Sequence, residues 1–78
     1  MNYELAMMAL EGLARSPLSV RSEGGELVID GQPSALKELA RLLLLLGGEG
    51  VARGEELELR PATHLSADSP AIRIRRRD

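Results

Sequence analysis

Five consecutive leucines, Leu42–Leu46, closed by Gly47-Gly48, restrict the fold more tightly than any other stretch of the sequence. The uncharged run from Leu42 to Gly48 falls far short of the roughly 20 apolar residues a membrane-spanning helix needs, and Lys37, Glu38 and Arg41 precede it closely. No membrane insertion is expected, so the run must be covered by the folded chain or by a partner. It has no β-branched residue, and the leucines upstream recur at helical spacing, which together predict a helix over 33–46 rather than a strand. Pro33 suits the first turn and the two glycines stop the helix. Leu36, Leu39, Ala40, Leu43 and Leu46 form its apolar face, with Lys37, Glu38 and Arg41 opposite. The run overfills that face: Leu42 and Leu44 flank it and Leu45 falls among the polar positions.

The rest of the chain alternates between helical and strand periodicity. Residues 2–14 predict a helix, 2–15 with Arg15 counted, an element added for dimerisation or packing, with Asn2 as cap and Tyr3, Ala6, Leu10 and Leu13 on one face. Glu4, Glu11 and Arg15 share the opposite face, Glu11 and Arg15 at i, i+4 spacing. Met7 and Leu5 form wide apolar margins, Met8 borders the polar side, Gly12 weakens the last turn, and Ser16-Pro17 ends the helix. Residues 18–30 predict a hairpin about Gly24-Gly25, with Leu18, Val20, Leu27 and Ile29 inward and Val28 on the outer face. After a glycine-rich loop over 47–56, residues 56–60 alternate as a strand with Leu57 and Leu59 inward. The turn-rich segment 61–70 leads to a last strand over 71–77, with Ile72 and Ile74 inward. Antiparallel pairing of these two strands sets Glu56 and Glu58 against Arg73 and Arg75. The element order is α-β-β-α-β-β in a single small domain spanning 1–78. The expected architecture is α+β, a four-stranded antiparallel sheet with two helices on one side.

A chain of 78 residues buries only about 60% of the surface its unfolded form exposes, and small domains are commonly reinforced by disulfides, metals or partners. There is no cysteine and only one histidine, which predicts no structural metal and no cofactor. Self-association is the remaining expectation, a homodimer with Met7, Met8, Leu42, Leu44 and Leu45 as its interface. The net charge of −2 argues against nucleic-acid binding over the whole surface. The first fifteen residues lack a basic opening and carry Glu4 and Glu11, so a cytoplasmic location is expected.

The stretch "GELVIDGQPSALKELARLLLLL", followed by "ELELRPATHLSADSPAIRIRR", resembles the Imm32-type immunity proteins of bacterial polymorphic toxin systems over about residues 25–76. The shared pattern is a short strand (Leu27 to Ile29), a glycine-proline entry (Gly31 to Pro33), a leucine-rich helix (Leu36 to Leu46) and a second strand (Leu57 to Leu59). A Leu65-Ser66-x-x-Ser69 turn and a final apolar strand (Ile72 to Ile74) complete it. Family strands commonly carry a His-x-His-x-Asp pattern, where this chain has Glu56, Glu58 and Arg60. The resemblance implies a non-enzymatic domain that binds and occludes a cognate toxin.

Candidate chemistry is sparse. His64, Ser66, Asp68 and Ser69 share one loop, but triads converge from separate elements beside an oxyanion site, and a locally bonded turn is expected instead. The glycine-rich segments match no phosphate-binding pattern, and Glu49, Glu55, Glu56 and Glu58 read as a solvated acidic face. Arg73, Arg75, Arg76 and Arg77, with His64, are candidate polar contacts to a partner. Nucleic acid is the alternative partner for the arginines, although no aromatic platform accompanies them.

Overall fold

A computed structural model describes all residues, 1–78. Helix α1 spans Tyr3–Arg15, strand β1 Ser19–Glu23, β2 Glu26–Asp30, helix α2 Pro33–Leu46, β3 Glu56–Leu59 and β4 Ile72–Arg75. The Asn2 side chain accepts the Leu5 amide at 3.1 Å and caps α1. This satisfies one of the donors a helix start leaves unpaired. Pro33 opens α2, whose last turn closes through the Gly47 amide on the Leu43 carbonyl. Gly24 and Gly25, both at positive φ, make the two-residue turn between β1 and β2, a conformation close to glycine-specific.

The expected α+β composition and element order hold, but the strands form two separate two-stranded antiparallel sheets, β1–β2 and β3–β4, not one four-stranded sheet. Hydrogen bonding explains the difference. On the side of β1 away from β2, the Leu18 amide donates to the His64 carbonyl at 3.1 Å and the Leu18 carbonyl accepts from the Ser66 amide at 2.7 Å. The Val20 amide donates to Ser69 Oγ at 2.9 Å. A turn, not a strand, therefore occupies the edge that a third strand would need. Ile29 and Leu27 lie opposite Val20 and Ser22 in the register. Because the Val20 amide points away from β2, alternation turns the backbone groups of Ile29 and Leu27 outward too, leaving the far edge of β2 open.

Ser69 is the one buried polar residue, and its bonds can be ordered by proton count. The Asp68 carboxylate accepts from Ser66 Oγ at 2.9 Å, and Ser66 Oγ lies 2.7 Å from Ser69 Oγ. Each hydroxyl has one proton, and that of Ser66 goes to Asp68. Ser69 thus donates to Ser66 while accepting from Val20. The chain of bonds leaves no buried side-chain polar atom unpaired.

The core is aliphatic. Leu13, Leu18, Leu42, Leu59 and Leu65 are fully enclosed, with Ala6, Ala9, Val20, Ala35, Leu46 and Leu57 around them. Leu57 and Leu59 point inward as alternation requires, and Ile72 and Ile74 are half-buried against them. Leu42 corrects the expected pattern: it is 0% exposed, while Leu36 and Leu43 of the predicted face are exposed. The buried stripe of α2 is Ala35, Leu42 and Leu46, turned toward α1. The Glu38 side chain lies over Gly12, and a Cβ at that position would meet Glu38 Cδ at 2.9 Å, so the bare backbone at Gly12 accommodates the Glu38 side chain between the two helices. On α1, Ala6, Ala9 and Leu13 are buried, whereas Tyr3 is exposed and donates its hydroxyl to Glu55 at 3.0 Å. Leu27 and Ile29 were expected inside and are exposed, because neither helix packs across the β1–β2 hairpin.

Replacing Ser69 by alanine leaves the buried Val20 amide without an acceptor. Urea unfolding of Ser69→Ala is expected to show a loss of about 1–3 kcal/mol, whereas Ala67→Ser, at an exposed position in the same turn, leaves stability unchanged.

Candidate functional site

The histidine loop is built for structure. His64 Nδ1 accepts the Arg60 backbone amide at 3.2 Å, so that nitrogen carries no proton. Burial, and secondarily the charge of Arg60, lower the pKa of His64, both disfavouring the imidazolium. The Ser66 and Ser69 hydroxyls are bonded to Asp68 and to each other, not to His64. The loop's nucleophiles and its one base are therefore not joined.

The arginines at the chain end divide by role. Arg75 Nε lies 2.8 Å and Arg73 Nε 3.4 Å from the Glu56 carboxylate, while Glu58 lies 3.4 Å from Arg60. The predicted facing of Glu56 and Glu58 with Arg73 and Arg75 is the register itself, though Glu56 takes both arginines. Arg76 turns the other way. Its Nη1 donates to the Leu46 carbonyl at 2.9 Å and the Gly48 carbonyl at 2.6 Å, placing a cation on the negative end of α2. Arg77 is exposed and pairs with no carboxylate.

Part of the exposed apolar surface, Leu5, Met8 and Leu44, comes together between the helices beside the half-buried Leu45, while Met7, Leu27, Ile29, Leu36 and Leu43 are exposed elsewhere. Leu5 and Met8 on α1 and Leu44 and Leu45 on α2 line a groove of about 670 Å³, with Ala9 among its walls. Met8 is 62% and Leu44 75% exposed. Of the predicted interface residues, Met8, Leu44 and Leu45 meet here, Met7 is exposed but lies outside the groove, and Leu42 belongs to the core. Sequence reasoning missed Leu5, whose only signal was its place on the apolar margin of α1.

The groove continues into a polar cleft of about 420 Å³ lined by Arg15, Ser16, Ser34, Lys37 and Arg41, with Gly12 and Glu38 on its floor. Arg41 pairs with Glu38, whose side chain is only 15% exposed. Arg15 and Lys37 make no ion pair; the expected Glu11–Arg15 pair is not closed. Antiparallel packing of the helices thus produces a trough with an apolar end and a cationic end. No three carboxylate or imidazole groups converge as metal ligands, and no helix is long and apolar enough to cross a membrane. No family model matches the chain, and no curated protein or solved structure is significantly similar to it.

Two measurements test these assignments. The unfolded histidine titrates near about 6.5 and the folded one lower, so the unfolded chain takes up its proton first. The contribution is complete above that value and is lost as pH falls through it toward the lower pKa of the folded histidine. His64→Asn, whose Oδ1 accepts the same amide, flattens this part of a urea-unfolding pH series. Arg76→Ala, by freeing the α2 carbonyls, lowers unfolding free energy by about 1–3 kcal/mol, and Arg77→Ala leaves it unchanged.

Proposed function

We infer that the chain is a non-enzymatic binding domain that docks another polypeptide on the α1–α2 groove. The observation that carries this reading is the gathering of the exposed Leu5, Met8 and Leu44 around the half-buried Leu45 on one surface of the helix pair. The accessible surface, 5321 Å², also exceeds the about 4,600 Å² expected of a compact monomer of this mass. Helix pairs that present an open apolar trough are suited to receiving another helix. The resemblance of residues 25–76 to Imm32-type immunity proteins points the same way, toward a toxin as the polypeptide bound.

A second copy of the chain is the simplest occupant, and the weak net charge of −2 opposes its approach little. Contact restricted to the apolar half of the groove makes a small interface, below the about 1,200 Å² of stable complexes, and hence concentration-dependent self-association. Nucleic acid is the weaker reading, since Glu56 occupies Arg73 and Arg75, and Arg76 is committed to α2.

Sedimentation equilibrium from ten micromolar to millimolar chain is expected to show a rising mean mass. Met8→Glu with Leu44→Glu returns it to the monomer value with the circular dichroism spectrum unchanged, since both side chains are exposed. A monomer mass at every concentration removes the homodimer.

A further inference from the structure

We propose that the occupant of the whole trough is an acidic amphipathic helix of another protein, its apolar side chains on Met8, Leu44 and Leu45 and its carboxylates on Arg15 and Lys37. This rests on the groove being a docking surface and names what docks there. The apolar end alone leaves the partner open; the cationic end settles its charge. Apart from Arg77, Arg15 and Lys37 are the cations bonded to neither a carboxylate nor a carbonyl, and both line the same cleft. The carboxylate that shares their cleft, Glu38, is mostly covered and already paired with Arg41. Glu11, on the α1 rim of the apolar part, is the remaining acid along the trough.

This polarity bears on symmetry. If two copies met along the full trough in opposite directions, each apolar end would lie on the other's cationic end. If they met in the same direction, Arg15 and Lys37 would face their own counterparts. Neither arrangement satisfies the cations, so a second copy covers the apolar half at most. A heterologous helix carrying carboxylates in one turn and leucines in the next two covers both halves. The open geometry favours a helix over a small amphiphile. Leu44 is 75% exposed at the rim, whereas small ligands are held in pockets that bury about 70–90% of their surface. The trough runs along α1, 13 residues or about 20 Å at 1.5 Å per residue, the length of a partner helix of about four turns. Carboxylates in the partner's first turn also suit its own macrodipole.

The test uses the full chain and two synthetic helical peptides alike in their leucine face, one with glutamates in the first turn and one with lysines there. Fluorescence anisotropy is expected to give the glutamate peptide an affinity about tenfold higher than the lysine peptide, as two charge contacts are gained and two repulsions avoided. Arg15→Glu with Lys37→Glu reverses the preference, Leu44→Glu weakens both peptides, and the glutamate peptide lowers the mean mass of self-associating chain. Equal affinities within about twofold, or a preference unmoved by the charge reversal, overturn the acidic partner. If Leu44→Glu still abolishes self-association in that case, the groove remains a docking surface; if neither peptides nor self-association respond to Leu44, both readings fall.

Discussion

The contact between β1 and the turn at residues 64–69 holds this domain together. The two hairpins and the helix pair each keep most of their hydrogen bonds internal, one aliphatic core runs between them, and this contact supplies the hydrogen bonds that tie the first hairpin to the rest. The Leu18 amide and carbonyl and the Val20 amide join the first hairpin to the segment that precedes β4, and Leu18 and Leu65 are both fully buried at that junction. Backbone groups inside a protein must be paired. Here a serine hydroxyl does what a neighbouring strand's carbonyl would do, and the Ser66–Asp68 bonds fix that hydroxyl's direction. A turn spends the edge on three contacts where a strand would extend it, which is why the sheet stops at two strands on each side.

The elements were legible in the sequence because periodicity and punctuation agreed. Asn2, Gly24-Gly25, Pro33 and Gly47 each mark a boundary through a specific backbone demand. The strand pair β3–β4 was legible down to the grouping of its charges, since strict alternation buries Leu57 and Leu59 and puts Glu56, Glu58, Arg73 and Arg75 on the outer face, while the register decides that Glu56 meets Arg75. What could not be read were quantities set by tertiary contact. A leucine run satisfies several helical faces at once, so the face chosen in α2, Ala35, Leu42 and Leu46, depends on what α1 presents to it. The inward pattern of Leu27 and Ile29 was clear, but pattern alone does not say whether anything lies above a hairpin.

The groove between α1 and α2 was partly legible for the same reason. Met8, Leu44 and Leu45 stood out as apolar residues beyond what a small core needs, and they converge. Arg15, Lys37 and Glu38 look like an ordinary solvated helix face in one dimension. They become a cleft only because the C-terminal end of α1 packs beside the N-terminal end of α2. The conspicuous arginine cluster at 73–77 proved largely internal business, cross-strand pairing and a helix cap, while the less conspicuous cations kept their charges free.

The junction at Ser69 also has a consequence for the order of events during synthesis. β1 emerges from the ribosome near residue 20, and the groups it bonds emerge almost fifty residues later. Until then the first hairpin has two open edges, not one, and α2 lacks the Arg76 guanidinium that holds its last carbonyls. The nascent chain can settle its helix pair early, but it cannot lock. The final dozen residues close both ends at once, making the C-terminal segment the clasp of a fold whose other parts were shaped before it arrived.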